Sequence, residues 1–396
     1  MKVLHVIENV DERYGGPAKT VPFLCDNLKK IGVDVSINSV KKYDYESNAI
    51  ILSSGLKWNN FENSVTDTLR YSFGLYRGLE KQVKGDQQVI IHTHNQWNFP
   101  PYCAFKLSKK LNLPLVCSIH GSMYPWSLSQ FKWFKKFFWL AFQKRMFQEA
   151  SCVHATEPGE LKAIRDLGIT SPIALISNGI ELSEFENMPT KSEACAKLGI
   201  SETKKYILFI SRIHPVKGLD FLARALADNS SELSDWELLI AGPTDDDKFL
   251  REVNNIFDKS GLTNKIHFLG MLNHADRILP YAASSLFVLP SHTENFGIVI
   301  AEAMAARIPV ITTKNTPWSE IQEHNCGWWV DLSDENISKA LLTALKSSTN
   351  ELMKKGLNGR SLVVNNYSWD IQAEKTAKLY HWLASGGEKP DFVDVM

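Results

Sequence analysis

Short runs of apolar and β-branched residues alternate along this chain with longer segments in which apolar residues recur every three or four positions. The short runs, bounded by turn residues, predict β-strands, and the longer segments predict helices. An alternation of this kind is typical of parallel sheets covered by helices. The predicted strands are 3–7, 33–40, 88–92, 113–119, 152–155 and 173–176, and then 206–210, 236–241, 265–269, 285–289 and 309–313.

The alternation stops once, in a polar stretch at 181–203, and then starts afresh. We therefore predict the α/β fold class, with two doubly wound parallel-sheet (Rossmann-like) domains that face each other across a cleft. The 396 residues suffice for two domains, which we assign to 1–183 and 184–368. The last helix, 369–385, is expected to pack back on the first domain, and the polar tail that follows it is expected to be frayed.

Composition argues against a nucleic-acid-binding protein and indicates a reducing compartment. The chain has 44 basic and 44 acidic residues, so its formal net charge is zero. Nucleic-acid-binding domains normally carry a basic excess, and we expect no nucleic-acid partner. The six cysteines are scattered without a C-x-x-C pair, which is typical of buried thiols in a reducing compartment. Because the sequence shows neither a signal-like leader nor an apolar run of about 18 residues, we expect a cytoplasmic location.

The residues that follow predicted strands are the first candidates for a site, because ligands of open α/β sheets bind outside the carboxyl ends of the strands. Gly15 and Gly16, followed by a proline, open the first helix, where backbone N–H groups can receive an anion. The alternative is a simple flexible turn. The strand at 113–119 leads to His120, which could bind a substrate hydroxyl or shuttle a proton, or could be a structural histidine.

Charged residues mark the second domain. Arg212 and Lys217 follow its first strand, and they are either a diphosphate-binding pair or two solvated loop cations. The segment 291–313 carries Glu294 at a predicted helix entry and Glu302 in an apolar helix body. A buried carboxylate is costly unless it is hydrogen-bonded, so either local structure or a ligand must bind Glu302. Eight helical residues span about 12 Å, whereas paired glycosidase carboxylates lie roughly 5–10 Å apart, which disfavours a hydrolase.

An acidic run in the second half of the chain is a candidate metal site. The acidic run 245–247 offers oxygen ligands, but a solvated loop is the favoured interpretation, and no histidine or cysteine cluster has metal-ligand spacing. We therefore expect no metal and no cofactor.

The stretch 124–145 predicts a helix with a basic, tryptophan-bearing face, which suits an anionic membrane surface or a lipid-linked substrate; the alternative is a core helix with solvated lysines. The residues concerned are Trp126, Lys132, Lys135, Lys136 and Trp139.

In their order along nearly the whole chain, these features resemble the family 4 retaining glycosyltransferases of the GT-B fold, of the type that builds bacterial surface polysaccharides. The matching motifs are Gly15-Gly16, His120-Gly121, ISNGIE, SRIHPVKG, IAGP, FLG and ENFGIVIAEAMA. The most specific of them is Glu294, seven intervening residues and Glu302, with Phe296-Gly297 between. One departure is Arg307, where relatives often have glycine; it lies at a helix end, away from the site.

The resemblance implies a nucleotide-diphosphate sugar as donor, with a UDP-sugar favoured, and a metal-independent transfer to an acceptor hydroxyl. Arg212 and Lys217 would neutralise the leaving diphosphate, Glu294 would hold the donor sugar, and His120 would help to position it. Glu302 would hold the ribose hydroxyls. The resemblance further implies donor contacts by Gly15, Gly16, Phe296, Gly297, Ile298, Gly242 and Met271.

In this fold the N-terminal domain is the acceptor side, which makes the segment 92–100, with Trp97, and the aromatic-basic stretch candidates for acceptor binding. We expect a polyprenyl-diphosphate-linked glycan acceptor in cell-envelope (O-antigen- or capsule-like) polysaccharide assembly, with the protein peripheral on the inner face of the cytoplasmic membrane. Two alternatives stay open: a nucleotide-sugar epimerase of the same fold, which needs no acceptor groove, and a transferase that acts on a soluble acceptor.

Overall fold

The computed structural model describes residues 1–11, 16–40, 48–63, 70–85, 88–124, 136–244, 246–273 and 275–396. They form two compact units, one of Met1–Gly179 with Trp369–Met396 and one of Ile180–Ser368. The first predicted boundary, after residue 183, lies four residues beyond the observed one after Gly179. The second, after residue 368, coincides with the observed one. The residues singled out above that lie outside the described ranges are Gly15, Trp126, Lys132, Lys135 and Asp245.

The described residues contain fourteen strands, numbered in chain order. They are β1 (Lys2–Val6), β2 (Asp34–Val40), β3 (Lys57–Phe61), β4 (Val89–His94), β5 (Leu115–Ser118), β6 (Cys152–Ala155), β7 (Ile173–Leu175), β8 (Lys205–Ile210), β9 (Trp236–Ala241), β10 (Ile266–Gly270), β11 (Leu286–Leu289), β12 (Val310–Thr313), β13 (Gly327–Val330) and β14 (Val393–Asp394).

Each unit is built on one sheet. The order in the first unit is β14-β7-β6-β5-β4-β1-β2-β3, and in the second it is β10-β9-β8-β11-β12-β13. All pairs are parallel except β14 with β7, which is antiparallel. The central strands are buried along their whole length, as expected for parallel strands covered on both faces. The predicted α/β class with two parallel-sheet domains is confirmed.

Helices cover both sheets. In the first unit they are Gly16–Lys30, Ala49–Ser54, Phe73–Val83, Phe99–Leu111, Lys144–Glu149, Pro158–Asp166 and Trp369–Ser385, with a π-helical turn at Trp139–Gln143. In the second they are Lys191–Leu198, Leu219–Asp228, Asp247–Lys259, Ile278–Ala283, Ile298–Ala305, Glu320–Glu323, Asp334–Lys346 and Thr349–Asn366, with 3₁₀ turns at Leu182–Phe185, Pro215–Lys217, Ser230–Glu232 and Thr263–Lys265.

The end of the chain is ordered in the first unit. The helix Trp369–Ser385 packs against the helix Gly16–Lys30, and the Trp369 ring stacks on Phe23 with centroids 6.1 Å apart. The expectation of a frayed tail is wrong, because Val393 is buried and β14 pairs with β7. Arg165 further binds the Asp394 carboxylate through Nε at 2.9 Å, so one apolar anchor and one ion pair hold the polar segment.

Two bulk properties are visible in the structure: the state of the cysteines and the apolar length of the helices. All six cysteines are buried and unpaired, which confirms that they are core thiols. In the described part of the chain, no helix combines the length and apolar character that a bilayer crossing requires.

The core of the first unit contains histidines. His5 of β1, His92 and His94 of β4, and His154 of β6 are all buried. Burial lowers the pKa of His5 to about 3 and that of His154 to about 4, and it lowers the pKa values of His92 and His94 well below the usual range. These side chains are therefore neutral in the folded protein at neutral and mildly acidic pH.

We predict that the first unit loses stability as the pH falls below about 6.5, the pKa of an unfolded histidine. Because the folded pKa values are lowered, the stabilisation is complete above 6.5 and decreases towards the folded values near 3 or 4. Each buried histidine contributes up to about 1.4 kcal/mol per pH unit in this window. Calorimetry at pH 7.5, 6.5 and 5.5 should show a Tm that falls most steeply below pH 6.5.

The control variants are His154→Gln, which should flatten this pH dependence, and His324→Gln at an exposed position, which should leave it unchanged. Three carboxyl groups oppose the trend, because burial raises the pKa of Glu160 to about 7 and also raises those of Glu8 and Glu157, so their ionisation destabilises the fold as the pH rises. His120, whose pKa burial lowers to about 3, adds a fifth histidine to the trend. A Tm that is constant from pH 7.5 to 5.5 would contradict the prediction.

Candidate functional site

Two charged residues predicted from the second half of the sequence meet at the carboxyl edge of the second sheet. Lys217 ends the 3₁₀ turn that follows β8, and Glu294 lies in the loop that follows β11. Lys217 Nζ is 2.6 Å from Glu294 Oε1, and Ser291 Oγ donates to the same oxygen at 2.7 Å. Their side chains are only 16% and 10% exposed. The pair is therefore a fixed, largely desolvated ion pair at a strand end.

A glycine brings this pair together. Gly218 follows Lys217 with φ 72°, and a Cβ there would lie 2.1 Å from the carbonyl oxygen of Pro290 at the end of β11. The His292 amide also donates to the Val216 carbonyl at 2.8 Å. Only glycine allows this backbone approach, and the approach places the Lys217 turn beside the loop of Glu294.

The ends of the neighbouring strands carry three more predicted residues. Arg212 is exposed two residues beyond β8. Gly242 follows β9 with φ 136°, and a Cβ there would lie 2.0 Å from the Ser211 carbonyl oxygen. The Gly242 amide donates to the carbonyl of Gly270 at 2.8 Å, and Met271, directly after it, is 68% exposed. Arg212, Gly242 and Met271 thus lie at the same sheet edge as the ion pair.

The helix Ile298–Ala305 begins beside Glu294. Its N-cap is Gly297, and no side chain from the described part of the chain caps it. Phe296 is buried, its ring lies 5.1 Å from that of Trp318, and its carbonyl accepts the Trp318 indole N–H at 2.5 Å. A rigid helix start without a capping side chain offers backbone N–H groups and a favourable dipole to an anionic group.

One continuous helix does not carry both glutamates, so the premise of their predicted separation is wrong. Glu294 lies in the loop, four residues before the first residue of the helix, and only Glu302 is helical. The span of about 12 Å assumed one continuous helix, so it no longer bears on a hydrolase.

Glu302 is bound by other residues of the same unit. The carboxylate is buried, and it accepts hydrogen bonds from Arg277 Nη2 at 2.8 Å and from the Tyr281 hydroxyl at 2.9 Å. Arg277 Nη2 also donates to Glu184 at 2.8 Å. Burial, together with Glu302, raises the pKa of Tyr281 well above its usual value, so the phenol remains a donor. Of the two alternatives left open for Glu302, local structure binds its carboxylate, and its binding of ribose stays a prediction.

In the first unit, His120 follows β5 in a left-handed conformation with φ 46°. Its Nε2 lies 3.1 Å from Nδ1 of His94, and burial lowers its pKa to about 3, so the ring is neutral. The next amide, of Gly121, donates to the buried carboxylate of Glu160, which also accepts from the Thr156 amide at 2.6 Å. Glu160 therefore holds the turn that presents His120.

A polar group at the ends of β1 and β4 was not predicted. Glu8 accepts hydrogen bonds from Nδ2 of Asn95 at 3.2 Å and from Nδ2 of Asn98. Between the two asparagines, Trp97 has φ 75°, and Asn95 itself has φ 60°, so this loop has a strained backbone of the kind found at functional sites. The position of Glu8 directly beyond a strand end was the available signal.

One predicted donor contact, Gly16, lies at the surface of the first unit. Gly16 begins the first helix, is exposed, and a Cβ there would meet no atom within 4 Å, so local packing does not require glycine.

Lys136 is exposed, as the basic face requires, but Trp139 packs with its ring 6.0 Å from that of Phe147. Trp139 is half-buried and begins the π-turn Trp139–Gln143, and its place on the basic face stays a prediction.

One histidine cluster could in principle hold a metal ion: His5, His92 and His94 have ring nitrogens within 4.8 Å of one another. Each of their six ring nitrogens already lies within hydrogen-bond distance of another side chain, the longest separation being the 3.4 Å from His5 Nε2 to Tyr380. A metal would have to displace these partners. In the acidic run, Asp246 caps the helix Asp247–Lys259 by accepting from the Phe249 amide at 3.0 Å. The absence of a metal stays a prediction.

Two glycosyltransferase family models match consecutive parts of this chain. Residues 14–184 match the family described as Glycosyltransferase Family 4, and residues 190–361 match the one described as Glycosyl transferases group 1. The chain is similar to the lipopolysaccharide core biosynthesis mannosyltransferase LpsB of Rhizobium meliloti, with 27% identity over 217 residues, 54% of this chain and 61% of that protein.

A second relative is the GDP-mannose-dependent monoacylated alpha-(1-6)-phosphatidylinositol monomannoside mannosyltransferase of Corynebacterium glutamicum, 29% identical over 213 residues, 52% of this chain and 55% of that protein. The matches thus span little more than half the length of these relatives.

The fold is shared with Anabaena HepE, solved in complex with UDP and glucose: the TM-score is 0.75 at 18% identity, over 96% of this chain and 99% of that one. Together, the two consecutive family matches and the shared fold show that this chain belongs to the family 4 glycosyltransferases of GT-B architecture.

Proposed function

We propose that the protein is a metal-independent, retaining glycosyltransferase. It would move a sugar from a nucleoside diphosphate, with a UDP-sugar favoured, to a hydroxyl of a lipid-linked glycan in cell-envelope polysaccharide assembly. The observation that carries the proposal is the ion pair of Lys217 and Glu294 beside the helix start at Gly297. This arrangement offers a cation and helix N–H groups to phosphate, and carboxylate oxygens to sugar hydroxyls.

The chemistry follows from these charges. Breaking the bond between sugar and diphosphate leaves negative charge on the departing phosphate, which Lys217, Arg212 and the helix dipole would stabilise. Glu294, held by Ser291, would accept hydrogen bonds from the sugar and orient it. The acceptor hydroxyl would attack from the face that the diphosphate leaves, and the transfer would therefore retain the anomeric configuration. Two cations, of which Lys217 is held by its ion pair, and a helix dipole would supply the stabilisation that a metal gives in other enzymes.

The relatives support the donor and acceptor classes. HepE was solved with UDP, whereas the Corynebacterium enzyme is named as dependent on GDP-mannose, so the donor screen must include both nucleotides. The relatives named for lipopolysaccharide core and for a phosphatidylinositol mannoside both carry a lipid-linked glycan in their names. We extend that acceptor class to this chain.

The first unit has features that suit such an acceptor. Trp97 and the polar group of Glu8 and Asn98 offer an aromatic face and hydrogen-bonding groups for a glycan. Phe137 and Leu140 are 64% and 67% exposed near Lys136, which suits peripheral binding to an anionic membrane surface. We propose that the protein works on the inner face of the cytoplasmic membrane.

The donor is identified first by thermal shift with a panel of UDP- and GDP-sugars, with and without EDTA. We expect one nucleoside diphosphate and its sugar to raise the Tm, because a ligand that binds only the folded state stabilises it. EDTA should not change the shift. A shift that EDTA abolishes would overturn metal independence, and no shift with any nucleotide would remove the donor site.

With that donor, Lys217→Met should reduce transfer to extracted membrane lipid. Removing one group that stabilises transition-state charge costs about 100-fold or more in kcat. The matched control is Lys265→Met, which removes a half-buried lysine bound to the Leu233 carbonyl at the opposite edge of the same sheet. Equal activity of the two variants would contradict the role of Lys217. Conversion of the donor into a different nucleotide-sugar without lipid product would favour an epimerase.

Glu302→Gln tests the ribose contact. The amide can still accept from Arg277, so the fold should survive, while donor affinity should fall about 10-fold or more with the loss of a charged hydrogen bond. Titration calorimetry measures the affinity. The control is Glu237→Gln, another hydrogen-bonded carboxylate, paired with His267 at 2.7 Å. Unchanged affinity in Glu302→Gln would exclude the ribose role.

Phe137→Ser with Leu140→Ser should reduce binding to vesicles rich in phosphatidylglycerol, because these exposed apolar side chains would enter the interface. Lys136→Ser should weaken the same binding at low salt. Sedimentation with vesicles measures both effects. The matched control is Phe73→Ser with Leu52→Ser, a phenylalanine and a leucine of the same unit with exposures of 68% and 66%. Equal binding by both double variants would contradict the membrane surface.

A further inference from the structure

A continuous series of hydrogen bonds runs through the core of the first unit, and we name it the histidine relay. It begins at His120 and ends at the backbone carbonyl of Ile176. The separations are His120 Nε2 to His94 Nδ1 3.1 Å, His94 Nε2 to His5 Nδ1 2.9 Å, His5 Nε2 to Tyr380 Oη 3.4 Å, Tyr380 Oη to His92 Nδ1 2.6 Å, His92 Nε2 to Ser118 Oγ 2.7 Å, Ser118 Oγ to His154 Nδ1 2.7 Å and His154 Nε2 to Ile176 O 2.7 Å.

The Ile176 carbonyl fixes the direction of the hydrogen bonds at its own end of the relay. A carbonyl only accepts, so His154 must donate from Nε2, and because a neutral imidazole has one N–H, its Nδ1 must accept. Ser118 therefore donates its proton to His154, and its oxygen accepts from Nε2 of His92. Nδ1 of His92 is then an acceptor, and it takes the Tyr380 proton.

The directions of the remaining hydrogen bonds, from Tyr380 to His120, follow in the same way. Tyr380 has given its single proton to His92, so its oxygen accepts from Nε2 of His5. Nδ1 of His5 then accepts from Nε2 of His94, and Nδ1 of His94 accepts from Nε2 of His120. All five rings are neutral, since burial lowers each pKa far below 6.5. Reversing any single link would make two lone pairs or two protons face each other at a buried position, which is costly.

We propose that the histidine relay locks His120 in the tautomer protonated at Nε2, so that its Nδ1 is a hydrogen-bond acceptor. Within the described part of the chain, no group is hydrogen-bonded to this Nδ1. His94, His5 and Tyr380 are then positioning residues for His120. If the proposed transferase function holds, Nδ1 of this ring accepts a hydrogen bond from a hydroxyl of the donor sugar and discriminates against a sugar that lacks this hydroxyl.

The relay is tested without any assay of activity. The full chain is labelled with ¹⁵N-histidine, and the long-range ¹H–¹⁵N spectrum, assigned with single His→Gln variants, distinguishes the two neutral tautomers of each ring. We expect His120, His94, His5, His92 and His154 to be neutral and protonated at Nε2 at pH 7. A His120 ring that is protonated at Nδ1, or that carries both protons, would overturn the proposal.

Variants test whether the relay sets the tautomer. Tyr380→Phe removes the link between its two halves, and a measurable Nδ1–H population should appear at His120, while His154 stays protonated at Nε2. Tyr367→Phe, which removes a hydroxyl bound to Glu320 in the second unit, is the control. His94→Gln can both donate and accept and should preserve the tautomer of His120, whereas His94→Leu should release it. An unchanged His120 in both Tyr380→Phe and His94→Leu would refute the lock, and the wild-type spectrum decides the tautomer even if a variant does not fold.

The contribution to transfer is measured separately. Tyr380→Phe should lower kcat with the natural donor about 2- to 10-fold, the range expected for one hydrogen bond, and it should lower the rate less with a donor deoxygenated at the position that His120 contacts. If the protein transfers no sugar, only this last step fails, because the spectra report the relay itself. If transfer is found and Tyr380→Phe matches the wild type with both donors, the tautomer has no part in it.

Discussion

Parallel strand pairing is the constraint on which both units depend. Because every pair in the second sheet is parallel, the loops that leave its strands emerge at one edge. Lys217 and Glu294 are separated by more than seventy positions and still form a 2.6 Å ion pair. The same rule brings Glu8, after β1, within hydrogen-bond distance of Asn95, after β4. The sheet therefore provides the rigid frame, and the loops provide the chemistry.

Each buried charge near these edges has a partner that keeps it in place. Glu302 is bound by Arg277 and Tyr281, and Glu160 is bound by backbone and hydroxyl groups of Thr156 and by the Gly121 amide. A buried carboxylate without such partners would be protonated or would destabilise the fold. The residues that we propose to face a ligand are consequently supported by residues that do not, which is how a site is held in one geometry.

The sequence predicted the strands that are rich in β-branched and apolar residues to within two residues at each end. It missed β3 (KWNNF) because that edge strand is mostly polar, β13 (GWWV) because four residues with one β-branched side chain form too short a run, and β14 because two residues carry no periodic pattern. It located Lys217, Glu294 and His120 since each follows an apolar run. It could not find Arg277, Tyr281 or Glu160, because their roles arise from tertiary contacts between elements. The register that places His5 opposite His92 is likewise visible only in the folded sheet.

The first unit is assembled from both parts of the chain, whereas the second is one continuous segment, Ile180–Ser368. During synthesis on the ribosome, the second unit can thus complete its core while the first still lacks the helix Trp369–Ser385 and β14. Until those residues emerge, the buried faces of the helix Gly16–Lys30 and of β7 have no cover, and nascent chains stalled before residue 369 would expose them to chaperones and proteases. The antiparallel pairing of β14 with β7 therefore means that the first unit completes its sheet only after the whole of the second unit has been synthesised.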